Sequence, residues 1–183
     1  LTRFAARQKL VTQMGIQIHS SSDYRRAVRL IQDGAIGKIK EVHTWCGKGW
    51  GDLSPLPDRH DTPPAGFDWD LWLGPCPWRP YNPEYTRGGW RGFYDFHTSC
   101  IGEWGAHSFA QAMAGLGMLH TAPVHYEYVD NISGDNMVTR FANGTKMILS
   151  RGDKYWHGSC GERFVGTEGW VGAADGYRKT EAS

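Results

Sequence analysis

The sequence predicts an α+β fold, an open and mostly antiparallel β-sheet with helices on one face. Three observations predict it. Stretches with helical periodicity cluster early in the chain and alternating stretches cluster late. "SSSDYRRAVRLIQDG" (20–34) is a clean amphipathic helix with a start signal and a stop signal. Asn143-Gly144 sits between two alternating runs and marks a β-hairpin, with a type I′ turn expected there.

The elements follow in order. "LTRFAARQKL" (1–10) reads as a basic amphipathic helix with Leu1, Phe4, Ala5 and Leu10 inward, and "VTQMG" (11–15) as a short strand. In the next helix a serine or Asp23 caps the start. Tyr24, Ala27, Val28, Leu30 and Ile31 form the apolar stripe, and Gly34 ends it. "KIKEVHTWCG" (38–47) alternates as a strand does. Residues 48–98 hold eight of the nine prolines and many glycines and aromatics, so they form a long irregular excursion whose aromatic density argues against disorder. A second helix is expected over Glu103–Gly115. Strands follow at 124–130, 136–142, 145–152 and 162–173, the last containing a tight turn at "GTEG" (166–169).

Composition excludes some functions. Twenty basic and 19 acidic residues give a formal charge of +1, which offers no electrostatic attraction for nucleic acid or an anionic membrane. There is no apolar run of the length, about 18 residues, that a membrane span needs, and the basic start lacks the apolar core of a signal peptide. A cytoplasmic protein is expected. Cys46, Cys76, Cys100 and Cys160 are widely spaced, with no C-x-x-C, and read as reduced, mostly buried thiols. Nine tryptophans among 183 residues is heavy usage, and such rings suit sugar-binding clefts, interfaces and packed sheet faces.

Three segments, "VTQMGIQIHSSSDYRRAVRLIQDGAIGKIKEVHTW", "FDWDLWLGPCPWRPYNPEY" and "WRGFYDFHTSCIGEWGAHSFAQA", resemble the Gfo/Idh/MocA oxidoreductases, in the bacterial branch with a long Trp- and Pro-rich insertion. The resemblance implies an NAD(P)-binding Rossmann domain followed by an open-sheet α/β domain that holds a sugar or cyclitol. Residues 1–15 then resemble a remnant of the last Rossmann helix and strand. Residues 16–183 resemble the substrate-binding domain, with the insertion at 48–98. No G-x-G-x-x-G opens a helix after a strand, and the family's Glu-Lys-Pro motif is missing. The chain is thus expected to be the middle of such an enzyme and not to bind NAD(P) by itself.

The resemblance places Glu103 and His107 at the family's acid and base positions, where the histidine accepts the alcohol proton. Positions i and i+4 share a helix face, and an imidazole suits proton transfer near neutral pH. Glu103 is expected to orient the imidazole or to bind a neighbouring hydroxyl. The substrate-binding candidates are His19, Trp90, Arg91, His97, Trp156 and His157, with Tyr155 beside the last two. His97, Glu103 and His107 (with His19) also have the donor types for a divalent metal, though at no recognised spacing.

Two further functions compete. One is a nicotinamide-independent, glycosidase-like hydrolase using His107 and Glu103, with Asp95, Asp68 or Asp70 as second carboxylate. The other is a non-catalytic sugar-binding or oligomerising module. A homo-oligomer is expected through the open sheet, with Tyr126, Tyr128, Phe141, Met147, Leu149 and Trp156 on the joining face.

Overall fold

Strand β1 (Ile39–Cys46) runs through the middle of the sheet, and the rest is arranged around it. The computed structural model describes residues 1–13, 15–47, 58–98, 102–129, 135–150, 160–174 and 179–183. Among these, the sheet has seven strands in the order β2-β3-β4-β1-β5-β6-β7. The others are β2 (His125–Tyr128), β3 (Asp135–Arg140), β4 (Lys146–Ser150), β5 (Cys160–Gly166), β6 (Trp170–Ala174) and β7 (Lys179–Ala182). Only β1–β4 is parallel; every other pairing is antiparallel.

The register sets Thr139, Met147, Val42, Phe164 and Val171 in one row across five strands. Four of them, with Phe141, Ala27 and Ile31 of α2 (Ser22–Gln32) and Ala112 of the long second helix (Gly105–Gly115), form the main core. A buried Phe is worth about 1.5–3 kcal/mol through burial, so this row anchors the helices to one face. Gly115 permits the close approach, because a Cβ there would lie 2.7 Å from Phe164 Cζ. Both helices end in Schellman motifs: Ala35 and Gly34 donate to Leu30 and Ile31, and Met118 and Gly117 to Met113 and Ala114. The glycines at those ends, Gly34 and Gly117, have φ of 79° and 66°.

Several expectations need correcting. The first helix, α1, covers only Thr2–Arg7 and buries nothing; Leu1, Phe4 and Leu10 are exposed. No strand forms among the described residues of 11–15. The Asn143-Gly144 hairpin is present, but only Gly144 has positive φ. Gly144 N–H donates to Phe141 and Phe141 N–H to Thr145, a three-residue loop rather than a type I′ turn. The tight turn expected at 166–169 forms, with Gly166 N–H donating to Gly169 O at 2.9 Å, and divides that run into β5 and β6, whereas β7 was not foreseen. Phe141, Met147 and Leu149 are buried in the chain's own interior, so they offer nothing to a partner. The opposite face presents Glu41, His43, Arg163 and Trp170, with Arg163 over the Trp170 ring at 4.0 Å.

Within the 48–98 excursion, residues 58–98 are described. Two short helices, α3 (Trp69–Leu73) and α4 (Pro83–Thr86), fold around their own aromatic core of Trp69, Tyr81, Tyr85 and Phe93. Asp68 caps α3 through Leu71 N–H, and Trp69 Nε1 donates to Arg79 O at 2.7 Å. Arg79 pairs with Asp95 and lies over the Phe96 ring at 5.1 Å. The composition of this segment is therefore that of a small aromatic lobe, held by ring packing and the Arg79–Asp95 ion pair.

Candidate functional site

The long second helix, here α5, begins at Gly105, so Glu103 precedes it. His107 N–H bonds to Trp104 O at 3.0 Å in a tight first turn. Glu103, itself helical one residue before the Trp104 turn, and His107 make different contacts. The Glu103 carboxylate turns to the 3₁₀ turn Gly89–Gly92 and to His97. Arg91 Nε donates to both oxygens at 3.1 and 3.0 Å, and Nη2 to Oε1 at 2.8 Å. His97 Nε2 donates to Oε2 at 2.9 Å. Trp90 closes the group, with the Arg91 guanidinium 4.3 Å from its ring and His97 edge-on at 5.4 Å. Arg91 first, and His97 after it, hold the Glu103 carboxyl below the usual carboxylate range against the opposing effect of burial. Glu103 is thus an ionised acceptor fixed by two donors.

His107 belongs to a second group. Its ring lies 5.5 Å from Trp104. Trp104 in turn packs with Ile18 against Cys46 and Cys160. One turn further along, Ala110 O accepts from Tyr24 OH at 3.1 Å. Tyr24 stacks on His19, with ring centroids 4.8 Å apart and Nε2 3.4 Å from the hydroxyl. Since the Tyr24 hydroxyl proton goes to Ala110, His19 Nε2 is the donor to it. His107 is bracketed along α5 by contacts to segment 18–24, which brings His19 to its side. Burial, and then His19, push the His107 imidazole below its ordinary value, while Glu103 acts the other way. A neutral imidazole is ready to accept a proton.

Of the sequence candidates, His19, Trp90, Arg91, His97, Glu103 and His107 come together in these two groups, and Trp156 and His157 lie outside the described residues. Tyr24 and Trp104 were missed as site residues. Tyr24 reads as part of a helix stripe, and its five-residue spacing from His19 is the one signal that could have paired them. The carboxylates considered for hydrolysis are otherwise engaged or exposed: Asp68 caps α3, Asp95 pairs with Arg79, and Asp70 is exposed on α3. Among the described residues, no group of three or more His, Cys, Asp or Glu side chains is placed to hold a metal. No helix there is long and apolar enough to cross a membrane.

The profile of the oxidoreductase family's C-terminal alpha/beta domain, GFO_IDH_MocA_C2, matches residues 34–165. Among solved structures, an inositol dehydrogenase homolog from Azotobacter vinelandii complexed with NAD+ superposes with a TM-score of 0.59 at 12% identity, over 100% of this chain and 46% of its own. Aldose-aldose oxidoreductase from Caulobacter crescentus, complexed with glycerol, gives 0.55 at 15% identity, over 100% and 48%. A super-repressor mutant of Gal80p from Saccharomyces cerevisiae gives 0.56 at 13% identity, over 100% and 48%. At these identities the likeness is one of fold, and the chain spans under half the length of each. No curated protein sequence matches the chain.

Proposed function

Because the chain belongs to the Gfo/Idh/MocA oxidoreductase family, in its C-terminal α/β domain, we propose that it holds the substrate of a sugar or cyclitol dehydrogenase and supplies the base that takes the alcohol proton. The observation that carries this reading is His107. Its imidazole is half-buried at the start of α5, kept neutral by burial and His19, beside a carboxylate fixed by Arg91 and His97. Structures of similar fold are an aldose-aldose oxidoreductase and an inositol dehydrogenase homolog.

The chain's residues divide the work. His107 accepts the hydroxyl proton through its ring. Glu103, ionised, accepts a hydrogen bond from a neighbouring hydroxyl and orients the polyol. Trp90 and Trp104 limit water around these groups. His19, with its Nε2 proton engaged by Tyr24, stands next to His107. A nicotinamide cofactor would take the hydride, but its pyrophosphate needs a glycine-rich turn opening a helix. The chain's sequence contains no such turn, so its residues do not fit that group and no hydride step is assigned to them. In this reading the segment around α1 would pack against a nucleotide-binding domain. The exposure of Phe4, Leu10 and Val11 supports this, since apolar surface of that kind seeks cover.

The hydrolase reading is less well supported. A general acid must hold its proton near neutral pH, whereas Arg91 and His97 keep Glu103 ionised. The non-catalytic reading stands beside it because a super-repressor mutant of Gal80p has a similar fold, and fold does not establish activity. The test is twofold. Calorimetry should detect myo-inositol or an aldose binding to the 183-residue chain, weakened in Glu103→Gln. The product of the whole reading frame should oxidise that polyol with NAD or NADP. Binding without turnover favours the non-catalytic module, and the absence of both overturns the proposal.

A further inference from the structure

Cys46 is the last residue of β1 and Cys160 the first of β5, and the register sets them directly opposite each other. Both are buried, both are thiols, and they form one small cluster with Ile18 and Trp104 on the helix-covered face. Directly opposed residues of an antiparallel pair have Cα atoms about 4.5–5.5 Å apart, inside the span of about 4.4–6.8 Å that a disulfide bridges. The register therefore places the two thiols on the same face of paired strands, at a Cα spacing that a disulfide can span. Cys76 has no such neighbour among the described residues; its thiol donates to Asp95 O at 2.9 Å in the aromatic lobe.

We propose that Cys46 and Cys160 form a modification site, a dithiol that a hydroperoxide or a small disulfide converts into a cross-strand disulfide. With hydrogen peroxide, one sulfur attacks a peroxide oxygen, the O–O bond breaks, and a sulfenic acid and one water form. The second sulfur then attacks the first, the S–S bond forms, the S–O bond breaks and a second water leaves. Both thiol protons end in water, the sulfur pair loses two electrons, and the peroxide gains them. With a disulfide reagent, a mixed disulfide forms and resolves, releasing two reagent thiols. Burial limits the access of the oxidant and slows attack. The residues sit at strand ends, where a ladder opens first, so the reaction is slow but reachable from the folded state. The bond would clamp β1 to β5 beneath Trp104, the residue that packs on His107. This inference does not depend on the proposed function.

The test is mapping on the unaltered chain. The folded protein is treated with hydrogen peroxide in one arm and oxidised glutathione in the other. It is then quenched in acid, alkylated under denaturing conditions, digested without reduction and analysed by mass spectrometry. The expected result is a peptide linking Cys46 to Cys160, lighter by two hydrogens and restored by dithiothreitol. In Cys46→Ser that peptide disappears, and Cys160 is found as a sulfenic acid or a glutathione mixed disulfide. The proposal is overturned if Cys76 or Cys100 oxidises while no 46–160 link forms. It is equally overturned if the link runs through either of those residues, or arises only in chain unfolded in urea. Mapping the unaltered chain decides the matter even if the serine variant fails to fold.

Discussion

Arg91 grips both carboxylate oxygens of Glu103 through its Nε, at 3.1 and 3.0 Å, and its Nη2 adds a third contact to Oε1 at 2.8 Å. Bidentate guanidinium–carboxylate pairs fix geometry as well as charge. Arg91→Lys keeps the charge but loses the fork. Turnover of the full reading frame on its polyol is expected to fall about tenfold or more, the scale of a lost orienting contact, with circular dichroism unchanged. Activity equal to the parent would show that the clamp does not position the site.

His107→Ala removes the group assigned to proton transfer. General acid–base losses are typically about 10²–10⁴-fold, and polyol affinity measured by calorimetry should change far less. A loss confined to KM would instead mark His107 as a binding residue.

The pH profile follows from the direction of the His107 shift. The imidazole works as a base only when neutral. Burial and His19 lower its pKa, so kcat/KM should rise with pH through a limb below the ordinary histidine value of about 6.5. His19→Ala removes the second of those influences and should move the limb to higher pH. Tyr24→Phe removes the hydroxyl that accepts from His19 Nε2, which nitrogen-15 NMR reads as a change in the His19 tautomer. An unmoved limb in His19→Ala would separate the two histidines functionally.

Glu162 is fully buried on β5, and neither carboxylate oxygen has a hydrogen-bond partner among the described residues. Burial pushes its carboxyl well above the usual range. The folded state therefore holds a proton that the unfolded chain releases above about pH 4.3. Stability from this group is lost as pH rises from there toward the folded value, by at most about 1.4 kcal/mol per pH unit. Glu162→Gln cannot lose that proton. Its melting temperature relative to the parent should climb between pH 5 and pH 8; a constant difference would mean Glu162 is not protonated in the fold.

At Gly115 two effects compete. Alanine improves helix propensity by up to about 1 kcal/mol. Its Cβ would meet Phe164 carbons at 2.7 and 2.8 Å and Ile31 Cδ1 at 3.3 Å. Overpacking typically costs about 1–3 kcal/mol, so Gly115→Ala should destabilise the chain by about 1–2 kcal/mol net. Urea denaturation checks this, and a stabilised variant would mean that α5 shifts off the sheet without penalty.

The sequence by itself determined what is local and periodic. The α2 stripe with Gly34 at its end, the alternation of β1 and the hairpin at Asn143-Gly144 depend on side-chain spacing and backbone preference. The structure forms all three, changing only the turn type. Composition likewise indicated an ordered aromatic segment before its lobe around Trp69 and Tyr85 was known. Tertiary structure decided the pairings. Whether α1 buried a face depended on what covered it, and nothing in the described chain does. The i, i+4 spacing of Glu103 and His107 matched a shared helix face, but two donors distant in sequence, Arg91 and His97, engage the Glu103 carboxylate. The same dependence on long-range register brings Cys46 opposite Cys160 and leaves the Glu162 carboxyl without a hydrogen bond among the described residues. A carboxylate or thiol carries no mark in the sequence of which strand will face it, because that is set by the packing of the whole sheet.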